Sequence, residues 1–314
     1  VFGDWSSDVC SSDLAIEPET GEILALVTSP QYDPKLLVGR VRGENYKKLQ
    51  QDTLKPLFNR ALMAKYPPGS TFKLVNGLIA LQENIINVDT RFSCSLGYHV
   101  GRFSLGCHNH PSPLDFRQSI QHSCNAYYCN VFRAFLDNKK FGGVYNGYQV
   151  WYEYVSSFGF GKVLGSDFAN ELRGNLPSRE YYDRIYGQKR WVSLNIVSMA
   201  IGQGEVLATP LQIANFTATI ANRGWYYVPH IIKSVQGEEE IEAKFRLKNK
   251  PKVDSVNYLP VIDGMEMATI AGTATIARIP NIVVCGKTGT AENPHGKDHS
   301  VFVEIGRASC RERV

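Results

Sequence analysis

Tyr66-Pro67-Pro68-Gly69-Ser70-Thr71-Phe72-Lys73, continued by Leu74-Val75-Asn76-Gly77-Leu78-Ile79-Ala80-Leu81, joins a chain-stopping Pro-Pro-Gly to an uninterrupted helical run. The prolines and glycine end whatever precedes them and start a helix at Ser70 that reaches to about Glu83. Its apolar residues, Phe72, Leu74, Val75, Leu78, Ile79 and Leu81, occupy most sides of the helix rather than one stripe. A helix of that kind lies in the centre of a domain, with the rest of the chain wrapped around it. Ser70 falls in its first turn, where free N–H groups and the positive end of the helix dipole favour negative charge. Lys73, three residues on, shares its face.

Toward the N-terminus, apolar residues from Ala15, the turn Pro18-Glu19-Thr20-Gly21 and the run Ile23 to Val27 predict strand, turn and strand. Residues 31–60 are polar, with Tyr32-Asp33-Pro34 turn chemistry, and are expected to cross the surface. On the other side, Asp115 with Gln118 has the spacing of a capping box, and Ala126 to Leu136 supplies another helix, with Ser123-Cys124-Asn125 at the joint. Thr209-Pro210 with Gln212 starts a further helix that Gly224 ends. The charged stretch Glu238 to Lys252 reads as a solvated loop or hairpin. Ile282 to Cys285 predicts a strand running into Gly286-Lys287-Thr288-Gly289-Thr290, and His299 to Val303 begins another. Strands at both ends with helices between them predict an α/β (α+β) fold: an antiparallel sheet flanked by helices, with an inserted all-helical lobe and a site in the cleft between.

Composition agrees with a folded enzyme-sized body. The 314 residues are 43% hydrophobic and 20% charged, which supports a large core and excludes a disordered or collagen-like chain. No apolar run approaches the roughly 20 residues of a membrane helix, and no secretory leader pattern opens the chain. A net charge of +4 without a Lys/Arg stripe argues against nucleic acid. The two ends follow no structural pattern. Cys10-Ser11-Ser12-Asp13 and Ile305-Gly306-Arg307-Ala308 back-translate to one DNA sequence on opposite strands, the core of a common sequencing adapter. Residues 1–14 and 304–314 are therefore expected to be translated adapter, leaving 15–303 as a single domain incomplete at its C-terminus.

Three short elements carry chemistry. Ser70 and Lys73 pair a nucleophile with a resident amine, which acts as a base once burial favours its neutral form. Ser123-Cys124-Asn125 offers a hydroxyl able to pass a proton and an amide able to hold a lysine or a carbonyl. Lys287-Thr288-Gly289-Thr290 lies on a strand edge that can pair with an extended peptide. There Gly289 would let the peptide approach, Lys287 and the hydroxyls of Thr288 and Thr290 would bind a carboxylate, and a backbone N–H would complete an oxyanion hole.

The order of the three, helix start, helix joint and late strand, resembles the transpeptidase domain of class B penicillin-binding proteins. Gly202-Gln203-Gly204-Glu205, Thr209-Pro210-Leu211-Gln212 and Asn293-Pro294-His295-Gly296-Lys297-Asp298-His299-Ser300 are similar to the elongation-type members, and the likeness covers nearly all of 15–303. The resemblance implies acyl transfer without a cofactor or metal. Ser70 would attack the D-Ala–D-Ala carbonyl of a peptidoglycan stem peptide, and Lys73 would take its proton. Ser123 and Asn125 would help deliver a proton to the departing D-Ala. Lys287, Thr288 and Thr290 would hold the terminal carboxylate, with the N–H groups of Ser70 and Thr290 at the oxyanion. It further implies inhibition by β-lactam antibiotics and a membrane glycosyltransferase of the shape, elongation and division family as partner. The full-length parent would then sit at the periplasmic face of the bacterial inner membrane.

Two other readings and several decoys stand beside this one. A β-lactamase needs a carboxylate to activate a deacylating water, and Glu171 with Asn175 has the spacing of that enzyme's loop. Gly174 stands where the loop carries leucine, however, so the stretch is expected to be a surface turn. A β-lactam sensor would acylate at the same serine without turnover. Cys94, Cys107, His108 and His110 form a Cys-x12-Cys-His-x-His pattern without a paired C-x2-C, so a disulfide or two unlinked thiols is expected rather than zinc. Cys124, Cys129 and Cys285 are expected to point into packing, and Asp298 with His299 to be structural.

Overall fold

The computed structural model describes residues 11–237, 240–291 and 298–306. In chain order its strands and helices are β1 (Ser12–Ile16), β2 (Ile23–Thr28), α1 (Arg42–Gln51), α2 (Arg60–Met63), α3 (Phe72–Gln82), β3 (Gly97–Val100), β4 (Phe103–Gly106), α4 (Phe116–Gln121) and α5 (Asn125–Leu136). There follow α6 (Val144–Ser157), α7 (Arg179–Tyr186), α8 (Pro210–Ala221), α9 (Leu259–Ala271), β5 (Cys285–Ala291) and β6 (His299–Ile305). All pairing between the described strands is antiparallel, in three hairpins: β1 with β2, β3 with β4, and β5 with β6. Helix α8 packs on β1 and β6, and α9 on β5 and α4, so helices cover the first and last hairpins while α3 packs against α4, α5, α6 and α9. The α/β architecture expected from the sequence is the one observed.

Helix α3 is the centre. Every residue from Phe72 to Leu81 is buried. The Phe72 ring meets Trp151 and Phe160 edge-on, at 6.1 and 5.5 Å between centroids. One polar side chain in this interior, Asn76, is fully engaged: its Nδ2 donates to the carbonyls of Met199 and Ala200, and its Oδ1 accepts from Trp151 Nε1 at 2.8 Å. Buried amides persist only when so partnered, and this one ties α3 to α6 and to the 3-10 segment Ser193–Ile201.

The capping signals are realised atom for atom. Asp115 and Gln118 close a capping box on α4, and Thr209 with Gln212 closes another on α8, whose first residue is Pro210. The charged stretch after Glu240 is a loop containing a 3-10 turn, Ala243–Phe245. It is anchored by buried Phe245, whose ring lies 4.7 Å from that of His230. The segment around Glu171 differs from the surface turn expected. Glu171 is buried and accepts hydrogen bonds from the backbone N–H groups of Leu164, Gly165 and Ser166 and from the Ser166 hydroxyl. Its carboxylate organises the loop after α6, because consecutive N–H groups in a turn converge on an anion.

Candidate active site

Ser70 sits in a single 3-10 turn, Gly69–Thr71, that feeds into α3. The turn is wedged between two backbones. The Gly69 N–H donates to Gly202 O at 2.9 Å. A Cβ on Gly202, at φ +71, would lie 2.2 Å from Gly69 O. From the other side β5 closes in, and a Cβ on Gly69 would meet Thr290 O at 2.8 Å. Glycine is required wherever two backbones come this close. Ser70 is thereby fixed at the mouth of a cleft of about 340 Å³ that is also lined by His108, Ser123, Asn125, Ile201, Gln203, Thr273, Thr288, Thr290 and Asp298.

One turn into α3, Lys73 is wholly buried. Its Nζ donates to Ser123 O at 2.6 Å, Ser123 Oγ at 3.1 Å and Asn125 Oδ1 at 2.6 Å. Burial lowers the ammonium to about 8, opposed by the Cys107, Cys124 and Cys129 sulfurs. Ser123 is held at φ +51, a region that non-glycine residues rarely occupy. That backbone turns its hydroxyl between two amines, since Lys287 Nζ donates to the same Oγ at 2.7 Å. Asn125, the first residue of α5, donates from Nδ2 to Gly106 O at 2.7 Å.

Lys287 lies on β5 opposite Val303, entirely buried. Its second acceptor is Thr288 O at 2.7 Å. Burial foremost, then the Lys73 charge, push its ammonium well below the ordinary lysine value. The Lys287 amine faces Ser123, while its neighbours Thr288 and Thr290 line the cleft. Thr288 Oγ1 donates to Thr273 Oγ1 at 3.0 Å. Gly289 is buried, and a Cβ there would lie 3.1 Å from Thr71 Cγ2 and 3.2 Å from Pro68 O. Its lack of a side chain admits the Ser70 turn.

Five cleft-lining residues lay outside the sequence-based set: His108, Ile201, Gln203, Thr273 and Asp298. Gln203 belongs to the Gly-Gln-Gly-Glu stretch, His108 stood out only as a ligand candidate, and Thr273 carried no sequence signal. Asp298, expected to be structural, lines the cleft, while the ring of its neighbour His299 lies tilted against that of Tyr66, 4.7 Å between centroids. Glu171 is not among the lining residues.

Behind Asn125 lies a group of soft donors. Cys94, Cys107, Cys124 and His110 each present one ligand atom, all within 4.8 Å of one another, and the three cysteines are free thiols. Three sulfurs and one imidazole match the tetrahedral Cys3His set that holds zinc. The grouping differs from the sequence-based quartet because His108 turns to the cleft and Cys124, at the cap of α5, takes its place. Hydrogen bonding from the Cys124 thiol, against burial, then from the Asn125 N–H and His110, lowers the Cys107 thiol to about 4. Cys124 is raised in turn.

Residues 13–307 match the model of the penicillin binding protein transpeptidase domain, and the chain belongs to that family. It is 32% identical over 289 residues, 89% of this chain and 41% of the relative, to the peptidoglycan D,D-transpeptidase MrdA of Acinetobacter baumannii. With Pseudomonas aeruginosa PBP2, solved in complex with WCK 5153, it shares a TM-score of 0.79 and 30% identity, over 94% of this chain and 65% of that one. A structure described as the structural coordination of polymerization and crosslinking by a peptidoglycan synthase complex matches at TM-score 0.77 and 29% identity, over 95% of this chain and 52% of that one. The chain thus spans about two fifths of the curated relative it matches, at 41%.

Proposed function

We propose that this chain is the catalytic domain of a peptidoglycan D,D-transpeptidase of the elongation type, working through an acyl-enzyme on Ser70. The observation that carries the reading is the convergence of Lys73, Ser123, Asn125 and Lys287 into one hydrogen-bonded group beside the cleft that Ser70 lines. Neutral Lys73 takes the proton of Ser70 as the hydroxyl attacks the D-Ala–D-Ala carbonyl. The Ser70 and Thr290 N–H groups receive the oxyanion. Ser123, poised between two amines, returns a proton to the leaving D-Ala, and Asn125 orients Lys73. Thr288 and Thr290 bind the terminal carboxylate, while Lys287 donates a hydrogen bond to Ser123 from behind. An amine of a second stem peptide then resolves the acyl-enzyme and makes the cross-link.

β-Lactams would acylate the same serine, as membership of the penicillin binding protein transpeptidase family supports. The likeness to a peptidoglycan synthase complex that coordinates polymerization and crosslinking supports a polymerising partner, which we read as a membrane glycosyltransferase working with the parent protein at the periplasmic face of the inner membrane. Among the described residues no helix is long and apolar enough to cross a membrane. We read residues 15–303 as the domain and 1–14 and 304–314 as translated adapter. Strand β1 begins at Ser12 and β6 ends at Ile305, but backbone pairing accepts almost any extended sequence, so the genomic locus is the test. For the reaction, mass spectrometry after penicillin treatment is expected to place one adduct on Ser70 and none on Ser70→Ala. An adduct elsewhere overturns the reading, and sustained hydrolysis of a chromogenic cephalosporin would make the protein a β-lactamase.

A further inference from the structure

Asn125 is held at three points, and two of them come from the last residue of β4 and the residue that follows it. Its Oδ1 accepts from Lys73 Nζ at 2.6 Å, its Nδ2 donates to Gly106 O at 2.7 Å, and its backbone N–H donates to Cys107 Sγ at 3.3 Å. A side-chain amide presents its oxygen to an ammonium only while its NH2 end is held elsewhere. Gly106 does this. The backbone N–H raises a second requirement, because the first N–H groups of a helix have no partner within it and Asn125 opens α5. The preceding residue, Cys124, directs its own sulfur to Tyr127 N at 3.3 Å, one turn further on. Cys107 therefore supplies what the helix cap leaves out. A sulfur suits the place: it is large enough to accept from Asn125 N–H and still meet His110 Nε2 at 3.4 Å.

We propose that Cys107 is a positioning residue of the acylation step: its sulfur, by accepting the Asn125 N–H, fixes the first turn of α5 and with it the amide oxygen that orients Lys73 beside Ser70. The proposal rests on the reading of Ser70 and Lys73 as nucleophile and base. It assigns Cys107 no contact with substrate.

The test is the rate of acylation by a fluorescent penicillin in Cys107→Ala and Cys107→Ser, each alone and combined with Asn125→Ala, with melting temperatures and the site of the adduct. Loss of one hydrogen bond to a backbone donor predicts about tenfold slower acylation in Cys107→Ala, in the rate constant rather than in the affinity. Serine, with an oxygen of shorter reach, is expected to recover part of the rate. In the Asn125→Ala background neither change should slow acylation further, since residues acting in series do not add. If Cys107→Ala does not fold, Cys107→Ser carries the same comparison, with about threefold slowing expected alone and none in combination. Additive losses, an unchanged rate in folded Cys107 variants, or an equal loss in Cys94→Ala would each overturn the proposal. In all three cases the wild-type adduct on Ser70 would leave the proposed function standing. A wild-type chain without that adduct would overturn both.

Discussion

At the scale of single residues, the site depends on amines kept out of water. Lys73 is lowered to about 8 by burial, so below that pH the larger fraction carries a proton and has no lone pair for the Ser70 hydroxyl. Acylation by penicillin is expected to rise about tenfold per pH unit up to that point and then level off. A rate that stays flat across pH 8 would remove Lys73 from the role of base. The same shift has a consequence for folding. The unfolded chain, with Lys73 at its ordinary 10.5, binds more protons than the folded one between about 8 and 10.5. Stability should therefore increase with pH through that window, by an amount on the order of 3 kcal/mol from this group. Denaturant titrations at pH 7.5 and 10 should show a larger gain in the wild type than in Lys73→Met, where position 73 no longer titrates and Lys287 still does. Legibility at this scale was uneven. Serine and lysine at helical spacing were visible in the sequence, whereas the direction in which Lys287 points was not, because a strand residue's side is set by the sheet it joins.

Elements position these residues through close backbone contact. Gly202 allows its segment to touch the Ser70 turn, and its φ of +71 is unfavourable for any side chain. Gly202→Ala is expected to cost about 2 kcal/mol or more of stability and to slow acylation, since the turn must retreat from the added methyl. Thermal denaturation and the acylation rate would read the two effects together. Glu171 offers the opposite case, an element-organising group away from the cleft. Replacing it with alanine leaves one buried and two half-buried N–H groups without an acceptor and should cost about 2–4 kcal/mol. The stoichiometric penicillin burst at Ser70 should be the same in the wild type and in the folded fraction of the variant; turnover by the wild type that the variant reduces to a single burst would instead mark Glu171 as a deacylating base. Helix starts at Asp115 and Thr209 could be read from sequence because a cap is a local interaction within four residues. The hairpin of β3 and β4 could not, since its short strands carry no strong alternation, yet its end supplies Gly106 and Cys107 to the site.

The whole molecule is built around α3, and its stability should be graded outward from that helix. Leu78, fully buried in the core, is expected to cost about 2–5 kcal/mol on truncation to alanine. Helix α1 buries no residue at all. Amide hydrogen exchange should therefore find α1 opening readily while α3, α5 and α8 exchange only with global unfolding. Equal protection across all four would contradict the packing described. Because the site draws on the turn before α3, the cap of α5 and strand β5, loss of penicillin acylation on heating should coincide with loss of tertiary packing rather than precede it.

From the order of residues alone came the buried central helix, the capped helices, the terminal hairpins and the three stretches proposed to be catalytic. Each of these rests on turn chemistry, capping or periodicity, forces that act across a few neighbouring residues. Packing alone decided that one Ser123 hydroxyl lies between two lysines, the farther of them 164 residues away along the chain. Packing likewise gathered Cys124 with Cys94 and Cys107, and turned Gly289 toward Thr71. Such contacts follow from how layers of structure stack on a shared core, and no interaction between near neighbours in the chain encodes them.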